Sequence, residues 1–299
     1  MKNIVCFDKN QIALVFERMH FSLLDVIQSA NAKREYLAES NIRTWIYQIL
    51  GALAFMHEHG IVHRDIKPEN ILLNETKTIC KLGDFGLARD IPTKARPGTE
   101  YISTRWYRAP EVLLRAGQYS ETIDVFAVGA VMAELFTGRP LFPGSDELDQ
   151  IQAICSVLGT IRTSTWKEGA ALMHRFNPKV IDVAPVSLKN VIPQASPAAL
   201  ELISDMLRYN PNDRPTAREA LNYDFFASSR AVRVSIDGFL QSSKSVEAIR
   251  GQNCSTCITP QILSSMRDER KIVDSENMLR KMTNSETKDV SYCHRFTSE

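Results

Sequence analysis

Changes in the spacing of apolar positions along the chain mark out its elements. Ile12-Ala13-Leu14-Val15-Phe16 is a short apolar run behind the turn residues Asn10-Gln11, and it predicts a buried strand with Ile4 to Phe7 as its hairpin partner. Two strands alone do not make an independently stable sheet. Helical spacing starts near Leu23 and is strong from Ser40 to His59. There Ile42, Trp45, Ile46, Ile49, Leu50, Leu53 and Met56 recur three or four apart and mark one inward stripe. Ser40 or Asn41 is expected to cap this helix and Gly60 to end it. Ile61 to Leu87 reads as short strands and loops, with Ile71-Leu72-Leu73 and Ile79-Cys80-Lys81-Leu82 as a strand pair. A second long helix is predicted from about Ser120 to Thr137, stopped by Gly138. Leu148 to Leu158 and Pro197 to Leu207 are further amphipathic helices, and Thr216 to Leu221 begins another after Pro211-Asn212-Asp213-Arg214-Pro215.

After about Ala227 no period persists. Ser228-Ser229, Gln241 to Ser245 and Cys254-Ser255-Thr256 interrupt it, and charges of both signs intersperse. Residues 228–299 are therefore expected to be a polar, largely disordered tail, with at most a marginal helix around Pro260 to Leu279. No internal repeat is visible.

Composition narrows the class. Of 299 residues 44% are hydrophobic and 24% charged, with a net charge of +1, the profile of a globular chain with no electrostatic hold on nucleic acid or acidic lipid. No nucleic-acid or membrane partner is expected. The longest apolar run, Val125 to Met132 with Ala133 after it, is too short to span a bilayer and should be a buried helix. Met1-Lys2-Asn3 does not open a signal peptide. The six cysteines are scattered through a chain that needs no staples, which predicts reduced thiols in the cytoplasm or nucleus. Cys254 and Cys257 have metal-ligand or redox spacing, but no second pair or nearby histidine completes a zinc site, and they are read as chemically idle.

The chemistry lies in His63-Arg64-Asp65-Ile66-Lys67-Pro68-Glu69-Asn70 and Asp84-Phe85-Gly86. Each triplet is weak alone, and the order and spacing carry the signal. The strand pair after Asn70 brings the chain back to Asp84. One carboxylate can then face a hydroxyl nucleophile, a second carboxylate and an amide oxygen can face Mg²⁺, and a lysine can sit near a transferring phosphate.

These motifs resemble those of eukaryotic protein kinases, and the resemblance covers about residues 3–227. It implies an α+β fold whose helical large lobe is nearly complete and whose small lobe is reduced to about two strands. The implied division is 1–19 as a small-lobe remnant with the hinge, 20–227 as the large lobe, and 228–299 as the tail. Asp65 would orient the substrate hydroxyl and accept its proton, Lys67 would contact the γ-phosphoryl group, and Asn70 and Asp84 would hold Mg²⁺. Glu17 and Met19 match the hinge that meets adenine, Phe16 the gatekeeper position, and Leu72 the residue beneath the adenine ring. Asp124 matches the buried aspartate that anchors the catalytic loop, with Phe126 where a tryptophan is usual. Glu111, in Ala109-Pro110-Glu111, would pair with Arg214.

The stretch from Thr99 to Glu111, with Leu141-Phe142-Pro143-Gly144 and Glu147 to Ile151, is similar to the cyclin-dependent and MAP kinase group. Within that group it looks most like the male-germ-cell-associated, intestinal-cell and MOK kinases. Thr99 and Tyr101 match a dual phosphorylation site, with Arg64 and Arg89 placed to receive the first phosphate and Arg105 and Arg108 the second. The resemblance implies ATP and Mg²⁺, protein substrates with Ser/Thr-Pro sites favoured by Arg105, an upstream kinase acting on Thr99, and a possible ciliary location. No Gly-x-Gly-x-x-Gly run and no Val-Ala-x-Lys strand occurs in the sequence, and no helix glutamate precedes Ile12. That departure implies an N-terminally truncated kinase. Three readings stay open: a complete kinase of which this is a partial version, an inactive kinase-like scaffold or binding protein, and an enzyme completed by a partner covering the small lobe.

Overall fold

The computed structural model describes residues 3–8, 11–91, 93–94, 104–176, 182–227 and 293–297. Asn3–Asp8 (β1) and Gln11–Val15 (β2) form the antiparallel hairpin expected from the first apolar runs, with Asn3 opposite Val15 and Cys6 opposite Ile12. From His20 the chain continues through Phe21–Ser22 (β3), Leu23–Lys33 (α1), Glu39–Glu58 (α2), Ile61–Val62 (β4), Ile71–Leu73 (β5) and Cys80–Leu82 (β6). Arg89–Asp90 (β7), Thr93–Lys94 (β8), Pro110–Leu113 (α3), Gln118–Tyr119 (β9), Thr122–Thr137 (α4) and Glu147–Leu158 (α5) follow. Then come Lys167–Phe176 (α6), Leu188–Val191 (α7), Pro197–Met206 (α8), Ala217–Ala220 (α9) and finally Cys293–Thr297 (β10). The architecture is α+β and mainly helical.

Contacts divide the chain into two units, residues 1–19 with 235–299, and residues 20–234. In the first, β10 adds antiparallel to the free side of β2, with Cys293 opposite Val15 and Thr297 opposite Gln11. This strand lies inside the stretch expected to be disordered. Five residues are too few for an alternating pattern to stand out, and the pairing depends on a partner far away in sequence. Cys254, Cys257 and residues 260–279 lie outside the described residues.

The second unit is built around α4. Every side chain from Ile123 to Phe136 is buried, so this helix has no solvent face, as expected of a central core helix. α2 packs on it with the predicted stripe, and Ile42, Trp45, Ile46, Ile49, Leu50, Leu53 and Met56 are all buried. Each fully buried Ile or Leu contributes roughly 1.5–3 kcal/mol over its exposed state. α8 packs on α4, and α9 on α2.

Ser40 and Asn41 do not cap α2. The helix begins at Glu39 with Ala38 as N-cap and no side-chain cap bond. Glu39 holds this end instead, one carboxylate oxygen accepting from Arg43 (2.8 Å) and the other from the Ser196 amide (3.1 Å). Gly138, in the left-handed region (φ 70°), stops α4 as predicted. α6 was not expected, although Ala170, Met173 and Phe176 recur at helical spacing and face the core.

Candidate active site

α2 positions the hairpin that carries the chemistry. Trp45 Nε1 donates to the Lys77 carbonyl (2.8 Å), Gln48 Nε2 donates to the Thr78 carbonyl (2.9 Å), and Gln48 Oε1 accepts from the Cys80 amide (2.9 Å). The antiparallel β5–β6 pair is thereby held against the core, with Ile71 opposite Leu82. The Gly83 amide donates to the Asn70 carbonyl (2.8 Å), which brings the strand leading to Asp84 against the end of the catalytic run. A Cβ at Gly83 would stand 2.9 Å from Leu72 Cδ1, so any larger residue there would have to displace the Leu72 side chain.

Asp65, Lys67 and Asn70 form one cluster. Asp65 Oδ2 accepts from Lys67 Nζ (2.7 Å) and from Asn70 Nδ2 (2.8 Å), and Asn70 Nδ2 also donates to the Asp65 carbonyl (2.9 Å). With its NH₂ group committed, Asn70 presents its amide oxygen as an acceptor. Asp84 is exposed, adopts a left-handed backbone (φ 54°), and accepts from the Gly86 amide at 3.2 Å. One carboxylate and one amide oxygen are hard oxygen donors. Mg²⁺ takes few protein ligands and completes its shell with water and substrate phosphates, so Asn70 and Asp84 fit it.

The backbone of the run is fixed from below by α4. Asp124 is 1% exposed; its Oδ2 accepts from the His63 amide (2.8 Å) and its Oδ1 from the Arg64 amide (2.8 Å). His57 Nε2 lies 3.0 Å from the same Oδ2. Arg64 takes a left-handed backbone (φ 72°), a conformation unfavourable for its side chain that these bonds hold in place. The fully buried His63 places Nε2 3.0 Å from the Gly83 carbonyl, and its ring lies 5.2 Å from that of Phe85, which is 50% exposed.

A second buried assembly lies further along. Arg214 makes two bonds to Glu111, at 2.6 and 2.8 Å, and donates to the carbonyls of Arg208, Thr122 and Tyr209. Its guanidinium stands 5.0 Å over the Phe126 ring, so the phenylalanine in the usual tryptophan position still offers it an aromatic face.

Of the expected phosphate-binding arginines, Arg64 and Arg89 are brought near each other, because Val62 and Arg89 are register partners in the β4–β7 ladder. Arg105 donates to the Ser145 carbonyl, and its buried Nε has no partner among the described residues. The Arg108 amide donates to the Arg105 carbonyl (3.0 Å). Thr99 and Tyr101 lie outside the described residues. Glu17 is exposed and Met19 half-buried, both in the first unit, and Leu72 is half-buried in the second.

The sequence reading missed two groups. His57 follows Leu53 by four residues and Leu50 by seven, so it falls on the buried face of α2, and a polar residue on that apolar stripe was its signal. Glu134 is 3% exposed within α4, and Tyr107 donates to its Oε2 at 2.7 Å. Burial pushes the Glu134 carboxyl up to about 7; the Tyr107 bond opposes the rise and the charge of Glu69 adds to it. The Tyr107 phenol is itself raised, first by burial and then by the charge of Glu134. Among the described residues no helix is long and apolar enough to cross a membrane.

Residues 3–226 match the protein kinase domain family. The chain is 48% identical over 219 residues to the mouse serine/threonine-protein kinase MAK, covering 73% of this chain and 34% of that protein. It is 45% identical over 240 residues to the rat serine/threonine-protein kinase ICK, covering 80% and 37%. It is also 44% identical over 222 residues to the rice (Oryza sativa subsp. japonica) cyclin-dependent kinase F-3, covering 74% and 50%. The chain thus spans between a third and a half of the length of these relatives. With a family match across three quarters of its length, this chain belongs to the protein kinase family, in the group that contains the MAK, ICK and cyclin-dependent kinases.

Proposed function

We propose that this chain transfers the γ-phosphoryl group of ATP to serine or threonine hydroxyls of proteins, with Ser/Thr-Pro as the preferred acceptor site. The observation that carries the reading is the Asp65–Lys67–Asn70 cluster, tied by the Gly83–Asn70 bond to the segment bearing Asp84. In this reading Asp65 Oδ takes the proton of the acceptor hydroxyl as its oxygen bonds to phosphorus and the β,γ-bridging bond breaks, releasing ADP. Lys67 holds Asp65 in place and offers positive charge to the transferring group. Asn70 and Asp84 would hold Mg²⁺, which when bound neutralises phosphate charge. Leu72 would lie beneath the adenine, and the assignment of Glu17 and Met19 to the hinge rests on the family resemblance alone. Phosphate placed on Thr99 by an upstream kinase would be met by Arg64 and Arg89, and phosphate on Tyr101 by Arg105 and Arg108. The Ser/Thr-Pro preference rests on the Thr99 to Glu111 stretch.

The test is phosphate transfer from labelled ATP and Mg²⁺ to a Ser-Pro peptide and its Ser-Ala counterpart, with Asp65→Asn and Asp84→Asn as controls and a calorimetric titration of ATP alongside. Transfer abolished by both substitutions supports the reading. A folded chain that binds no ATP and transfers nothing would instead be a kinase-like binding protein.

A further inference from the structure

Two helices end at one corner of the second unit, both in left-handed residues. Arg34 closes α1 at φ 58° and Gly138 closes α4 at φ 70°. The corner is locked, because Asn31 Nδ2 donates to the Gly138 carbonyl (2.7 Å) and a Cβ on residue 138 would meet Asn31 Oδ1 at 2.2 Å. Between the helix ends lies a cavity of about 440 Å³. Its apolar lining includes the buried Ile27 and Phe136, its exposed lining Tyr36, Arg34, Glu35 and Arg139. Tyr36 is 67% exposed, the highest value among the large apolar side chains of the described residues.

The arginines are not explained by the fold. A left-handed C-cap is ordinarily glycine, and a non-glycine residue there costs about 1 kcal/mol or more. Among the described non-glycine residues with positive φ, Arg64 and Asp84 belong to the candidate active site, Lys77 lies over the Phe21 ring, and Arg115 pairs with Glu147. Arg34 has no side-chain partner among the described residues, and neither has Arg139. A cation near a helix C-terminus is favourable in general. Here, however, neither guanidinium forms a cap: the Arg34 amide serves the Ala30 and Asn31 carbonyls, and the Gly138 amide serves that of Glu134. Two guanidiniums against the single carboxylate of Glu35 leave the cavity with one uncompensated positive charge beside an apolar lining.

We propose that this corner is a docking pocket for an acidic peptide segment that also carries a large apolar side chain. The carboxylates would pair with Arg34 and Arg139, and the apolar group would lie against Tyr36, Ile27 and Phe136. The volume, at the small end for ligand sites, suits one anchoring side chain and its neighbours rather than a whole helix. The pocket deepens the reading of the chain as a protein-directed enzyme. Asp124, which holds the catalytic run, and Thr137, on the pocket wall, are 13 residues apart on α4 (137 − 124), about 20 Å of helical rise. A peptide held at the pocket would therefore be gripped well away from its acceptor residue.

The experiment is fluorescence anisotropy of the full chain, without nucleotide, against a labelled Glu-Asp-Phe-Glu-Glu-Leu peptide and a counterpart with lysine for each acid. Saturable binding of the acidic probe alone is expected, weakened about tenfold or more by Arg34→Gly and by Arg139→Ala, the order of one lost charge-assisted bond. Arg34→Gly should keep or raise the Tm, since glycine suits the left-handed cap. Absence of saturable binding, equal binding by the variants, or loss of stability in Arg34→Gly would each overturn the proposal. Because binding is read without phosphate transfer, failure here and failure of the kinase reading are separate results.

Discussion

Replacing Arg214 by methionine tests the buried assembly that joins α3 to the segment after α8. The Arg214 side chain is fully buried and donates five hydrogen bonds, two to Glu111 and three to the carbonyls of Arg208, Thr122 and Tyr209. Methionine fills part of the volume and keeps an apolar contact with Phe126, but it leaves a buried carboxylate and three carbonyls without their donor. Breaking a buried pair from one side costs about 3–5 kcal/mol. In a unit of this size each kcal/mol lowers Tm by about 2–4 °C, so a fall of roughly 6–20 °C is expected. Glu111→Gln should cost less, about 1–3 kcal/mol, because Arg214 keeps its three carbonyl acceptors and one amide oxygen. The double variant Glu111→Gln/Arg214→Met should be more stable than the sum of the singles implies, since no charge is then left unpaired. Urea denaturation followed by tryptophan fluorescence, with Trp45 buried beside the β5–β6 hairpin as a probe, gives all three values. An Arg214→Met loss below about 1 kcal/mol, or a larger loss in Glu111→Gln, would show that the buried pair does not hold α3 in place.

Three further outcomes are expected. Glu134 has a folded-state value near 7 against an ordinary 4.5, so the folded chain binds the extra proton; this group's contribution is full below pH 4.5 and is lost as pH rises to about 7, by about 3 kcal/mol in total. Glu134→Gln should remove that downward slope between pH 4.5 and 7, and an unchanged urea midpoint profile would count against it. Asp124→Asn replaces one of two acceptors with a donor facing an amide, and should accelerate hydrogen exchange at His63 and Arg64 by at least about tenfold, the order of one unsatisfied buried group; unaltered exchange would show that α4 does not hold the run. Val15→Cys should form an intramolecular disulfide with its register partner Cys293, as Ile12→Cys should with Cys6; peptide mapping that found the second bridge without the first would rule out the β10 pairing and leave the hairpin intact.

The local elements and the chemical groups were legible in the order of residues alone. The stripe from Ile42 to Met56 made α2 legible because one face of a helix repeats every three or four residues, and the all-apolar run from Val125 marked α4 as a core helix. His63 to Asn70 and Asp84 were legible because a short loop must supply its functional groups in fixed order. Pairings between residues far apart in the chain emerged only with the fold. Asp124 meets the amides of His63 and Arg64 across some sixty positions, Arg214 meets Glu111 across about a hundred, and β10 meets β2 from the opposite end. The orphaned arginines of the α1–α4 corner and the raised carboxyl of Glu134 belong to the same class. Burial and pairing are properties of the environment, which chain folding assembles from distant segments and which no local period encodes.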